Sequence, residues 1–259
     1  MNVSVENTAA HHLHTLLTNV RDSGKSNLRE AWCQVLGAQW ESLEFAKRHS
    51  EVVTLLQMTI RQLDSLPERP RSRCERHVGS WWILVMQPIL NWADTTRSPH
   101  ALFDANQLDH LESTADLISG YLGGSNAAPQ TSKFEEIVTQ CQEWIDLLTS
   151  MGAEEINEPL RNQLISQIRH LIWLIENANL FGEARVAEEA STVIGSLAQA
   201  GATLVNVRPD NASRWKTAML ALITACVVLN QATPIIQESI TAGGAIVKEI
   251  TAAAENWNE

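Results

Sequence analysis

Basic residues are scarce in this sequence. In 259 residues it has 19 Lys and Arg against 30 Asp and Glu, which gives a formal net charge of −11. A protein that binds duplex nucleic acid neutralises the phosphates with a basic face, so a nucleic-acid partner is not expected. The acidic excess is uneven: residues 1–128 carry 11 basic and 14 acidic side chains, whereas residues 129–259 carry 8 and 16.

Cysteine pairs and a secretory start are also missing. The four cysteines (Cys33, Cys74, Cys141 and Cys226) are far apart, with no Cys-x-x-Cys spacing, which argues against a disulfide framework. The first residues, MNVSVENTAAHHLH, have no basic start followed by an apolar run, so no secretory signal is expected. Buried thiols in a reducing compartment are predicted, and with them a cytoplasmic location.

Local catalytic motifs are absent too. The sequence contains no Gly-x-Ser-x-Gly, no His-Glu-x-x-His and no Glu-x-x-His repeat, the signatures of several hydrolase and metal sites. Gly24-Lys25-Ser26 resembles the end of a phosphate-binding loop, but Asn19 stands where that loop needs glycine, so a turn between helices is predicted instead. We therefore predict no enzyme, no catalytic residue and no cofactor. The weakest alternative is an enzyme whose site is assembled from distant positions. The residues considered for such a site are His170, Glu176, Glu154 and Glu155.

One stretch near the N-terminus is rich in histidine: His11, His12 and His14. His11 and His14 are three residues apart, a spacing at which two side chains on a helix can share a metal. No Cys, Asp or second His group stands at a spacing that completes such a site. We therefore predict no metal site, and an exposed or fraying helix at this end.

Helical periodicity is strongest in the second half of the chain. Three stretches place apolar residues at i, i+3, i+4 and i+7, the pattern of one buried helix face. Ser132 and Glu135 form a capping box for the first stretch, and Asn157 with Pro159 begins the second. The short connections favour antiparallel neighbours. The apolar positions are Phe134, Ile137, Val138, Cys141, Trp144, Ile145 and Leu148, then Leu160, Leu164, Ile168, Leu171 and Ile175, then Val186, Ala190, Val193, Ile194 and Leu197.

The first half is also predicted to be helical, with a less regular pattern. A capping box at Asn27 opens a helix that is expected to continue, with a kink, as far as residue 63. The prolines at positions 67 and 70 then end it. The apolar run 81–90 indicates a buried helix or, less favoured, a strand, and 108–122 indicates another helix.

These patterns predict an all-α protein made of helical bundles. We expect an N-terminal helical domain over 1–122 and a linker over 123–130, where Gly, Ser, Asn and Pro cluster. A C-terminal antiparallel bundle over 131–256 follows, including an apolar hairpin over 214–250 that is rich in small residues. Residues 201–213 are predicted to be a second linker rather than an edge strand.

The sequence has one basic cluster, Arg69, Arg71, Arg73 and Arg76, shortly before two adjacent tryptophans. Interleaved Arg and aromatic residues can bind an anionic partner, which could be a protein, a lipid surface or the acidic second half of this chain. The plainer interpretation is a solvated loop after two prolines. Both interpretations stay open at the level of the sequence.

Residues 217–237 contain no charged side chain, over a length close to what a helix needs to cross a bilayer. Asn230 and Pro234 interrupt the run, so a hairpin buried in a bundle is favoured and a membrane-active segment is the alternative. Small residues suit close helix packing in either setting. The residues singled out are Trp215, Leu220, Leu222, Ile223, Val227, Val228, Leu229, Ile235 and Ile236.

Two functional hypotheses follow. The first is a non-enzymatic interaction or adaptor protein that binds a protein partner or itself, through Trp-bearing faces and the arginine cluster. Most of the nine Trp are expected in the core, with Trp215 and Trp257 more accessible to acrylamide than Trp144 and Trp173. The second hypothesis is a membrane-acting effector whose hairpin 214–250 inserts into a bilayer when released, which would make the protein membrane-associated.

Overall fold

The computed structural model of the protein describes residues 8–122, 132–204 and 207–227. Within these ranges the chain forms eleven helices and no strand, which confirms the predicted all-α class for this part of the protein. The helices are α1 (Ala9–Arg21), α2 (Leu28–Leu36), α3 (Leu43–Asp64), α4 (Glu68–Met86), α5 (Pro99–Leu102), α6 (Ala105–Leu122), α7 (Ser132–Ser150), α8 (Glu158–Glu176), α9 (Ala178–Phe181), α10 (Glu183–Gly201) and α11 (Pro209–Val227).

The chain divides into two compact units. Unit 1 comprises residues 1–123 together with the short segment 179–184, and unit 2 comprises residues 124–178 and 185–259. No local pattern in the sequence indicates that 179–184 belongs with the N-terminal unit. The predicted linker 123–130 lies outside the described residues, and the domain boundary there stays a prediction.

Helix α1 is anchored in unit 1, which corrects the expectation of an exposed or fraying N-terminal helix. It packs on α3 and α6 and buries Leu13, Leu16, Leu17 and Val20 completely or almost so. The Thr8 hydroxyl accepts a hydrogen bond from the His11 backbone N–H and closes a capping box with the His11 ring. The apolar stripe explains the burial, because a helix with such a face must pack it against another element.

The helix predicted over residues 27–63 is interrupted. Asn27 caps α2 as expected, accepting a hydrogen bond from the Glu30 N–H at 2.9 Å. Gly37 then adopts a left-handed conformation, φ 60°, which ends α2 because glycine enters that region without steric cost. Ser42 starts α3 by accepting from the Phe45 N–H at 3.0 Å. The missed signal was this second cap, which restarts the helix.

The loop between α2 and α3 completes an aromatic cluster in unit 1. Trp40 lies against Phe45, with ring centroids 4.9 Å apart, and against Trp92 at 5.3 Å. Trp32 meets the His49 ring edge-on at 5.2 Å. Rings in such edge and tilted arrangements add to the stability that their burial provides.

The core of unit 2 joins α7 to α8 and to α11. Trp144 and Trp215 meet edge-on at 4.7 Å, and the Trp144 indole N–H donates to the Ala218 carbonyl at 3.2 Å. Trp215 is 3% exposed, whereas Trp173 is half-buried. The expected order of acrylamide access for these two tryptophans is therefore wrong, because Trp215 lies on the face of α11 that packs on α7.

A half-buried histidine of α1, His12, gives unit 1 a sensitivity to acid. Burial, with a smaller contribution from the neighbouring His11, lowers the pKa of His12 from 6.5 to about 4, and its Nε2 is buried without a hydrogen-bond partner among the described residues. Because the pKa is lowered in the folded chain, the unfolded chain binds the proton more tightly. Stability is therefore complete above pH 6.5 and falls as the pH drops towards 4.

We expect His12→Gln to remove part of this acid sensitivity. Between pH 7 and pH 4, unit 1 of the native protein should lose up to about 3 kcal/mol of stability through His12, and the variant should lose correspondingly less. Urea denaturation at several pH values, followed by hydrogen exchange in α1, measures the difference. His100→Gln, at an exposed position, is the matched control, and equal pH profiles for both variants would contradict the assignment.

Candidate interaction surface

The arginine cluster lies on a helix, which corrects the interpretation of a loop after two prolines. Pro67 is the N-cap of α4 and Pro70 lies in its first turn. The backbone nitrogens of a first turn have no acceptor within the helix, so a proline there removes no hydrogen bond. The backbone N–H of Arg71 donates to the Pro67 carbonyl at 3.0 Å, and the helix continues without a break to Met86.

One side of α4 faces solvent. Cys74, Trp81, Leu84 and Val85 are buried, on the side that packs on α3 and α6. The exposed acids of α4, Glu68 and Glu75, lie on the same flank as Trp82. The exposed arginines and exposed large apolar side chains of α4 are here called the α4 surface. They are Arg69, Arg73, Arg76, Trp82 and Ile83.

The α4 surface has an ordered row along the helix. Arg69, Arg76 and Ile83 follow one another at intervals of seven residues, and seven residues are close to two helical turns. They therefore lie in one line, with two cations first and an apolar side chain at its end. Arg73 borders this line on one side, at the level of the two arginines.

The three arginines of the α4 surface are unpaired. Within the described residues, none of Arg69, Arg73 and Arg76 forms an ion pair. Arg71 differs from them, because it is half-buried on the flank of the helix and lies 3.4 Å from the Glu75 carboxylate. Of the four predicted residues, three are thus free to meet an anion and the fourth is engaged within the helix.

The C-terminal end of the α4 surface is apolar. Trp82 is 44% exposed and Ile83 51% exposed. In the turn that follows α4, Ile89 is 97% exposed. Single exposed apolar residues are common on proteins, but two adjacent large ones at the end of a row of arginines have the composition of binding hot spots.

The structure describes the predicted hairpin 214–250 only as far as residue 227, the end of α11. In α11, Trp215 and Leu222 are buried, Ile223 is half-buried and Leu220 is 47% exposed. The side chain of Val227 and the candidates at 228, 229, 235 and 236 lie outside the described residues. Among the helices that the structure describes, none has the length and apolarity needed to cross a bilayer. The candidates outside the described residues are Val228, Leu229, Ile235 and Ile236.

Glu155, one of the distant acids considered for catalysis, is a buried and fully bonded carboxylate. It accepts from the Arg208 backbone N–H at 2.9 Å and guanidinium at 3.1 Å, from the Asn211 amide at 2.9 Å, and from the Gly152 N–H at 3.0 Å. Burial alone would raise the pKa of Glu155, but these hydrogen bonds outweigh it and lower the pKa to about 2. Glu155 therefore remains ionised and joins the loop after α7 to the start of α11.

The other candidate motifs supply packing. His11 Nε2 lies 3.2 Å from the Asp116 carboxylate, and His170 stacks on Trp173 at 5.6 Å. In the part of the chain that the structure covers, no three His, Cys, Asp or Glu side chains are grouped to hold a metal. Gly24, with φ 70°, stands in the turn between α1 and α2, as predicted for the segment that resembles a phosphate-binding loop.

The sequence analysis found the arginines and the adjacent tryptophans. It assigned the whole run 81–90 to a buried element, so it missed the exposure of Trp82 and Ile83. Once the helix is extended through Pro70, the seven-residue interval from Arg69 to Ile83 places both kinds of residue on one side. That interval was the available signal.

Comparison of the chain with protein-family models, with curated proteins and with solved structures finds no match.

Proposed function

We propose that this is a non-enzymatic interaction protein and that the α4 surface is its contact with a partner protein. The observation that carries the proposal is the exposure of Trp82 and Ile83 at the C-terminal end of the solvent-facing side of α4, with Ile83 in line with Arg69 and Arg76, which form no ion pair with a described residue. Trp and Arg are the residues enriched at binding hot spots, where a large apolar anchor lies beside a donor-rich cation. As parts of this proposal, the domains 1–122 and 131–256 act as helical modules, and the protein acts in the cytoplasm.

The chemistry of the surface specifies its partner. Arginine binds carboxylates with two parallel hydrogen bonds, so the N-terminal half of the surface fits acidic side chains. The C-terminal half fits an apolar side chain that covers Trp82 and Ile83. An amphipathic helix with an acidic row beside an apolar row offers both at the required spacing, since helices that pack side by side present residues at matching intervals.

Trp82→Ala is expected to weaken binding of such a helix by about thirtyfold, because truncating a hot-spot anchor costs about 2 kcal/mol. The probe is a fluorescent synthetic amphipathic helix with Glu on its polar face, and fluorescence anisotropy measures its binding to the full chain. Tyr121→Ala is the matched control, since Tyr121 is another exposed aromatic residue of unit 1, on α6. Both substitutions should leave thermal stability nearly unchanged.

The same peptide with Lys in place of Glu separates charge recognition from general stickiness. The proposal predicts no measurable binding of the Lys peptide. Equal binding of the two peptides, or equal loss with Trp82→Ala and Tyr121→Ala, would contradict it. Flotation with anionic vesicles that requires residues 211–259, combined with no peptide binding, would favour the membrane-acting hypothesis instead.

A further inference from the structure

The outer side of α7 carries the acidic counterpart of the α4 surface. Four carboxylates of α7 are exposed, and none of them forms an ion pair with a residue that the structure describes. We call them the α7 acidic face. They are Glu135, Glu136, Glu143 and Asp146.

The spacing of these acids matches that of the arginines. Glu136 and Glu143 are seven residues apart, as are Arg69 and Arg76. At 1.5 Å per residue, each pair spans about 10.5 Å along its helix. Two helices lying side by side can therefore form both ion pairs at once, without either helix bending.

The contact between the two rows is electrostatic. Val138 and Ile145, also seven residues apart, are half-buried on the opposite flank of α7, about 160° around the helix from Glu136 and Glu143. The charges of the two rows therefore supply the attraction.

We propose that a second copy of this chain is a partner of the α4 surface, bound through its α7 acidic face. The inference rests on the proposed function, since it names an occupant for the same surface. The contact joins different patches on the two copies, so a bound pair keeps one free α7 acidic face on the first copy and one free α4 surface on the second. Such a contact builds an open chain of copies, or a ring if the rotation closes.

The association is weak and depends on concentration. The net charge of −11 repels copies at a distance, so the attraction acts at close range between the two faces. A single helix pair also buries less surface than a permanent dimer requires. Added salt weakens the contact, because the charges involved are exposed to solvent.

Charge reversal tests the contact in both directions. The first variant, Arg69→Glu with Arg76→Glu, makes the α4 surface acidic, and the second, Glu136→Arg with Glu143→Arg, makes the α7 acidic face basic. Sedimentation velocity is measured from about 5 to about 200 µM, a range that brackets weak contacts. Each variant alone should associate about tenfold more weakly than the native chain, whereas an equal mixture of the two should associate as well as the native chain does.

A control and a probe separate the possible failures. Lys47→Glu with Arg97→Glu changes the net charge by the same amount at exposed positions off the α4 surface, and it should leave association nearly unchanged. A native chain that is monomeric throughout, or a mixture that fails to recover association, overturns the self-contact. If the acidic synthetic peptide still binds in that case, the proposed function stands with another partner; if it does not bind either, both fail.

Discussion

Glu155→Ala lowers the free energy of unfolding of unit 2 by about 3 kcal/mol, because it removes the acceptor of buried donors. The Asn211 side chain and the Gly152 N–H donate to this carboxylate, and Arg208 donates to it through its backbone and its guanidinium. Without it, the amide of Asn211, which is 4% exposed, has no acceptor in its place. Hydrogen exchange of α11 in increasing urea measures the loss.

The neighbouring acid provides the control for this prediction. Glu154 is exposed, so Glu154→Ala should change the stability of unit 2 by less than about 0.5 kcal/mol. Because the pKa of Glu155 is lowered in the folded chain to about 2 from 4.5, its contribution is complete above pH 4.5 and is lost as the pH falls towards 2. Similar losses for the two alanine variants would show that the network around Glu155 is not stabilising.

Gly182→Ala destabilises unit 1 by about 3 kcal/mol, for two reasons that act together. Gly182 has φ 80°, a left-handed conformation that an L side chain disfavours. A Cβ atom at this position would also overlap the His12 ring, which is held in place by the packing of α1. Thermal unfolding, followed by hydrogen exchange in α1, measures the effect.

Gly195→Ala is the matched control. Gly195 lies within α10, is exposed, and has open space where a Cβ atom would stand. Alanine there should stabilise its helix by roughly 0.5–1 kcal/mol, because it restricts the unfolded chain and favours helix. If Gly182→Ala were as mild as this control, the contact between residues 179–184 and α1 would not be needed for the stability of unit 1.

Local signals predicted most of the helices. The apolar stripe of α7 and the Asn157 cap of α8 are each formed by residues only a few positions apart in sequence. Signals of this short range indicate a helix face or a helix start directly. The start of α2 at Asn27 was correct for the same reason. The continuation of α2 into α3 was wrong because Gly37 and Ser42 compete with an apolar periodicity that seemed unbroken.

The candidate surface was half predictable. The charge of the arginine cluster is visible in the sequence, but which of its arginines form ion pairs is not. Arg71 cannot be told from its neighbours by sequence and yet pairs with Glu75. Trp81 and Trp82 are adjacent and chemically identical. The first is buried and the second is exposed, because successive residues of a helix point in directions about 100° apart and α3 and α6 cover only one side of α4.

The sequence by itself determined the all-α class, the positions of most helices and the acidic balance, because these depend on composition and on residues within two or three turns of each other. The tertiary structure decided which charged and aromatic side chains are available for binding. It buried Trp215 against α7, enclosed Glu155 among donors from residues 152, 208 and 211, and placed Gly182 against His12. Contacts between residues so far apart in sequence leave no periodic trace, and burial is a property of the neighbours that a fold supplies.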